Sequence, residues 1–192
     1  MVSIQERVMM ARVRYTVGFT WSKNDFSTVR SKGTYLILID FFLLNRDDMK
    51  MVCRNLTPNL IKLSLAGCRD KLLDDDVYEL VNRCNRLLEL DLSDASAISN
   101  KAVTHIVQFL SGTLRKLSLS RCFDIHPAKF LEVNTMPQLK NLNIFGMLLP
   151  HKLEILKKQL PHLSVNEDHL CYIARSATGD KKNQLWDARL WQ

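Results

Sequence analysis

Few residues in this chain have the types and spacing that chemistry needs. His169-x-Cys171 supplies two metal-ligand side chains, but no second His or Cys pair stands at zinc spacing. The run Asp74, Asp75, Asp76 resembles a cation site, yet three acids at the start of a helical pattern are accounted for by capping and by the positive end of the helix. Cys68 and Cys122 recur at one place in a repeat with no histidine beside them, which makes them core thiols and not nucleophiles. G-x-S-x-G, P-loop, G-x-G-x-x-G and H-E-x-x-H patterns are all missing. The sequence therefore argues against an enzyme, and no cofactor or metal is expected.

Binding is a better use for the polar residues. Arg69, Asp94 and Arg121 each follow shortly after an alternating L-x-L stretch. Charged side chains in turns after consecutive strands project at one rim and not into the core, where loop residues commonly carry recognition.

The elements that position this rim come from a repeat. Leu63-x-Leu65, Leu90-x-Leu92, Leu117-x-Leu119 and Leu142-x-Ile144 are separated by steps of 27, 27 and 25 residues. Each copy has a leucine three residues earlier (Leu60, Leu87, Leu114, Leu139). Each also has a small or apolar residue three positions after the second aliphatic: Cys68, Ala95, Cys122 or Met147. This is L-x-x-L-x-L-x-x-C, the cysteine-containing kind of leucine-rich repeat, in about four copies. Between the strands, helices are expected. Val77, Leu80, Val81 and Cys84 share one helical face. So do Val103, Ile106, Val107 and Leu110 after a cap at Ser99 or Asn100. Pro127 suits a first turn, followed by Phe130, Leu131 and Val133 as apolar contacts, and Leu153, Leu156 and Leu160 line a fourth helix. Strand, turn, helix, turn in 25 to 27 residues builds an α/β solenoid with strands on the concave side. Ser64, Asp91, Ser118 and Asn143, which alternate with the leucines, are expected to look outward from that face.

Composition sets the remaining bounds. The 192 residues are 46% hydrophobic and 24% charged, as in a soluble globular domain. The net charge of +7 would suit an anionic partner, but Lys and Arg are scattered singly or in pairs. No nucleic acid is expected as a partner. The longest apolar run, Tyr35 to Leu44, is short for a bilayer and contains Asp40, so no membrane is expected either. Five cysteines without a C-x-x-C pair read as reduced thiols, and the start of the chain lacks a secretory signal pattern. Nucleus and cytoplasm are the expected compartments.

After the last repeat, a tail mixes polar residues with Leu170, Tyr172, Ile173, Trp186, Leu190 and Trp191, too many large apolar side chains for free linker. "LPHLSVNEDHLCYIARSATGDKKNQLW", with "LDLSD", "LSLSRCFDI" and "NIFG", resembles the C-terminal part of the S-phase kinase-associated F-box proteins, from roughly Asn55 to Trp186. Those proteins are non-catalytic substrate receptors of SCF ubiquitin ligases. The resemblance implies a tail that folds back across the concave face. It also implies docking of a Cks-type accessory protein and, with it, of a phosphorylated cyclin-dependent kinase inhibitor or similar substrate. The expected partner-binding residues are Arg69, Asp94, Arg121, Leu170, Tyr172 and Arg175. Asp94 would pair with a basic group of the accessory protein, and Arg69 and Arg121 with acidic groups. The sequence departs from the pattern at Leu170, where the family carries an aromatic, and at Ser176, where proline is usual.

The expected organisation is an unassigned segment 1–45, repeats over 46–162 and a tail over 163–192. No F-box is seen in 1–45, and the SCF core is an expected partner only if a longer isoform supplies one. Two readings of that segment stand open. One is a truncated gene model or unusual isoform. The other is a divergent cap that uses Leu36, Ile37, Leu38 and Ile39 as a protective strand. A generic leucine-rich-repeat interaction scaffold unlinked to any ligase is the alternative function.

Overall fold

The computed structural model describes residues 13–17, 35–38 and 45–167. Its strands form one sheet in chain order: β1 (Val13–Val17), β2 (Tyr35–Leu38), β3 (Lys62–Ser64), β4 (Glu89–Asp91), β5 (Lys116–Ser118), β6 (Asn141–Asn143) and β7 (Ser164–Val165). β1 and β2 are antiparallel, and every later pair is parallel. Parallel neighbours need a crossover, and here the crossovers are α2 (Asp74–Arg83), α3 (Asn100–Leu110), a 3-10 helix (Pro127–Thr135) and α4 (Pro150–Gln159). A further helix, α1 (Arg46–Asn55), precedes β3. This is an α/β leucine-rich-repeat fold. Tyr35–Leu38 lies beside β3 as a strand of the same sheet, while Ile39 lies outside the described residues.

The register repeats without a slip: Leu63 is opposite Leu90, Leu90 opposite Leu117, and Leu117 opposite Leu142. Stacked leucines on one strand face meet the apolar faces of the helices, and Leu60, Leu87, Leu114 and Leu139 close the layer below them. Val77, Leu80, Val81 and Cys84 are all fully buried, as are Val103, Ile106 and Leu110, whereas Val107 and Leu153 are only partly covered. The segment after Pro127 departs from expectation. It is 3-10, so side chains three apart eclipse. Phe130, Val133 and Met136 therefore form one fully buried row, and Leu131 turns outward at 37% exposure instead of joining the core.

Polar bonds tie neighbouring turns together. Asp76 Oδ2 accepts from Leu73 N–H at 2.9 Å and meets Arg46 Nη1 at 2.8 Å, joining α1 to α2. Asp74 accepts from both the backbone N–H and the hydroxyl of Ser99, the N-cap of α3. The acidic run thus caps two helices. At the far end β7 is short, and Ile144 N–H finds the side-chain Oδ1 of Asn166 at 2.7 Å. Earlier rungs use a backbone carbonyl there, as Leu119 N–H does with Asn143 at 2.8 Å.

The second strand face differs from the sequence reading. Ser64, Ser118 and Asn143 alternate with the leucines as expected but are only 6%, 7% and 6% exposed. In-register rungs about 4.8 Å apart wall in short side chains. The row bonds to itself: Ser64 Oγ donates to Asp91 Oδ2 at 3.4 Å, and Asn143 Nδ2 to Ser118 Oγ at 3.0 Å.

A candidate partner-binding rim

Each of β3, β4, β5 and β6 is followed by the same four-residue turn. Cys68, Ala95, Cys122 and Met147 donate backbone N–H groups to the carbonyls of Leu65, Leu92, Leu119 and Ile144 at 3.2 to 3.4 Å. The third residue of each turn is left-handed: Gly67 at φ 90°, Asp94 at 61°, Arg121 at 58° and Gly146 at 74°. Such turns favour Gly or Asn at this position, because a Cβ there crowds the next carbonyl at a cost of about 1–2 kcal/mol. The turns are themselves laddered: Gly67 N–H donates to Ser93 O, Asp94 N–H to Ser120 O, and Arg121 N–H to Phe145 O.

Asp94 and Arg121 therefore occupy equivalent places on adjacent rungs, and their side chains meet. Arg121 Nε and Nη2 bond the two carboxylate oxygens of Asp94, each at 2.5 Å, in a parallel two-pronged pair. The pair is reachable from solvent, with side-chain exposures of 42% for Arg121 and 22% for Asp94. The aliphatic stem of Arg121 runs over Gly146, where an added Cβ would stand 3.2 Å from Arg121 Cγ. Expected partners for these charges were groups on other proteins; within this chain each already holds the other.

Arg69 stands in a different register. The rung-equivalent of Asp94 in its repeat is Gly67, and Arg69 lies two residues further out, in phase with Ser96 and Phe123. It still joins the same rim: its left-handed backbone, at φ 52°, donates N–H to Asp94 O at 2.9 Å, and its side chain is exposed. The structure thus gathers Arg69, Asp94 and Arg121 at one edge. Leu170, Tyr172 and Arg175 lie outside the described residues.

Two side chains on this edge were missed from the sequence. Phe123, two residues after Arg121, is 67% exposed, and Leu149, at the start of α4, is 61% exposed. Exposed aromatics beside arginines are the composition of binding hot spots. The signal available was a phenylalanine directly after Cys122, in a turn and outside every helical or strand period.

Burial disfavours the thiolate at the four described cysteines, Cys53, Cys68, Cys84 and Cys122. Desolvation pushes the Cys84 and Cys122 thiols up to about 12 and drives Cys53 and Cys68 well upward too. Two of them serve as weak donors instead: Cys122 Sγ to Leu92 O and Cys84 Sγ to Thr57 O, both at 3.3 Å. Asp91 on the sheet face is also raised, by desolvation first, against the lowering bonds it accepts from Ser93 and Ser64.

A chain in a solved structure, "Crystal structure of Rad7 and Elc1 complex in yeast", is similar at a TM-score of 0.49 and 19% identity. The similarity covers 64% of this chain and 30% of that one. A family model described as the SKP2 LRR domain matches residues 35–192, from the first residue of β2 onward. On that match, which takes in most of the sequence, the chain belongs to the SKP2 leucine-rich-repeat domain family.

Proposed function

We propose that this chain is the substrate-recognition part of an SCF-type ubiquitin ligase. In this reading it performs no chemistry and raises the local concentration of a phosphorylated cell-cycle regulator beside a ubiquitin-loaded enzyme. A Cks-type accessory protein docks on the rim and completes the substrate site. The SCF core is engaged only where an F-box is supplied by a longer form, and the sites of action are nucleus and cytoplasm. Family membership supports the receptor role. The observation that carries the rim is its backbone: two charged residues sit at left-handed positions that the flanking repeats fill with glycine. Strain kept at exposed charged positions is the mark of a functional surface. Arg69, Arg121 and Phe123 supply cationic and aromatic contacts, and Tyr172, Arg175 and Leu170 add the tail's share.

The test is a calorimetric titration of a Cks-type protein into the full chain, beside Asp94→Lys and Asp94→Gly. Glycine relieves the strained turn while removing the charge, so Asp94→Gly separates recognition from folding. Binding at micromolar strength or tighter that both variants lose supports the receptor reading. A folded wild type that binds nothing leaves only the generic repeat scaffold.

A further inference from the structure

The opposite edge of the sheet has a different character. All parallel strands begin on that side, so the helix-to-strand loops 54–61, 83–88, 110–115, 135–140 and 158–163 are gathered there. None contains Asp or Glu. Arg54, Arg83, Arg86, Arg115, Lys140 and Lys158 are all exposed on it, and none carries an ion pair to another described residue. Arg115 and Lys140 are rung neighbours, joined by a Lys140 N–H to Arg115 O bond of 2.8 Å.

Basic residues near helix C-termini complement the helix dipole, and that is the simplest account of them. The magnitudes do not balance, however. The ends of α1, α2, α3 and α4 bring about half a negative charge each, about two in all, against six cations. Arg86, Arg115 and Lys140 also lie beyond the last helical turn, in the loops themselves. The six cations still outnumber the acids at hand: Glu89, at the start of β4, already pairs with Lys62, and the hollow lined by Asp75, Asp76 and Glu79 takes in only Arg54 of the six.

We propose that this edge is a docking surface for an extended acidic polypeptide segment, independent of the rim on the other side. Four of the six cations are arginines, whose planar forks suit carboxylates in pairs. Five successive loops span about 20 Å at rung spacing, the reach of roughly six extended residues. Single-stranded nucleic acid is the competing polyanion, but it is held by stacking on aromatics, and these five loops contain no Phe, Tyr or Trp.

The experiment uses fluorescence anisotropy of a labelled twelve-residue oligoglutamate with the full-length protein at low salt, and a single-stranded DNA dodecamer as second probe. Arg83→Glu/Arg86→Glu/Arg115→Glu is expected to weaken oligoglutamate binding by at least about tenfold. Lys50→Glu/Lys101→Glu/Lys152→Glu changes three exposed lysines elsewhere and shifts net charge equally, so it is expected to keep most of the binding. Circular dichroism checks that both variants are folded. Equal losses in the two variants, tighter binding of the DNA, or no oligoglutamate binding by wild type at low salt would each overturn the proposal.

Discussion

The two edges of the sheet handle charge in opposite ways. On the edge where strands end, opposite charges alternate on adjacent rungs, and Arg121 and Asp94 satisfy each other across left-handed turns. On the edge where strands begin, the five helix-to-strand loops carry one sign only, and their six cations have no ion pair to a described residue. The first edge is preorganised: side-chain directions are fixed by backbone strain and by pairing, which favours a partner of one shape. The second is set by charge alone and suits a partner of one sign and many shapes.

Both edges hang from the same leucine ladder, so disrupting the ladder disturbs them together. Leu117→Ala empties a fully buried site and is expected to cost about 2–5 kcal/mol, read as a lowered thermal midpoint. Next comes the turn geometry. Gly146→Ala imposes both a left-handed alanine and a close approach to Arg121, so it is expected to cost more than the about 1–2 kcal/mol set by the backbone alone. Gly67→Ala meets nothing within 4 Å and isolates that backbone cost, so the difference between the two mutants measures how tightly Arg121 is seated.

Charge removal sharpens the contrast on a smaller scale. In a double-mutant cycle, Asp94→Ala with Arg121→Ala is expected to show coupling of about 0.5–1 kcal/mol, small because the pair is half in water. Arg115→Ala on the other edge should change stability by less than about 0.5 kcal/mol, since no ion pair is lost. The smallest effect concerns Asp91, whose carboxyl titrates above its ordinary range in the fold. A raised acid favours the folded state while protonated, and that contribution is lost as pH rises from the ordinary carboxylate range through the folded pKa. Asp91→Asn is therefore expected to be more stable than wild type at pH 7. Its advantage should shrink as pH falls through the carboxylate range, as followed by urea midpoints at successive pH values.

Much of the fold was legible in the sequence because the leucine pattern obeys one period and buried side chains can satisfy it in only one register. Leu60, Leu63, Leu65 and their counterparts fell where the repeat put them. Leu131 did not, because a 3-10 segment eclipses every third side chain and sequence alone did not distinguish its period from 3.6. Ser64, Ser118 and Asn143 were misread because alternation says which face a residue takes, not how deeply its neighbours wall it in. Arg69 was grouped with Asp94 and Arg121 as one rim, and the rung bonds, which align Asp94 with Gly67, set it two residues further out along the turn.

By itself, then, the sequence determined the solenoid, its inner leucines, its capping acids and the charge types on one rim. Those properties depend on local spacing and on what an apolar core accepts. Tertiary structure alone decided that Arg121 grips Asp94, 27 residues before it, and that arginines and lysines scattered over a hundred residues share one edge whose loops hold no acid. Parallel stacking brings residues one repeat apart to within about 5 Å, so separation along the chain says little about separation in space.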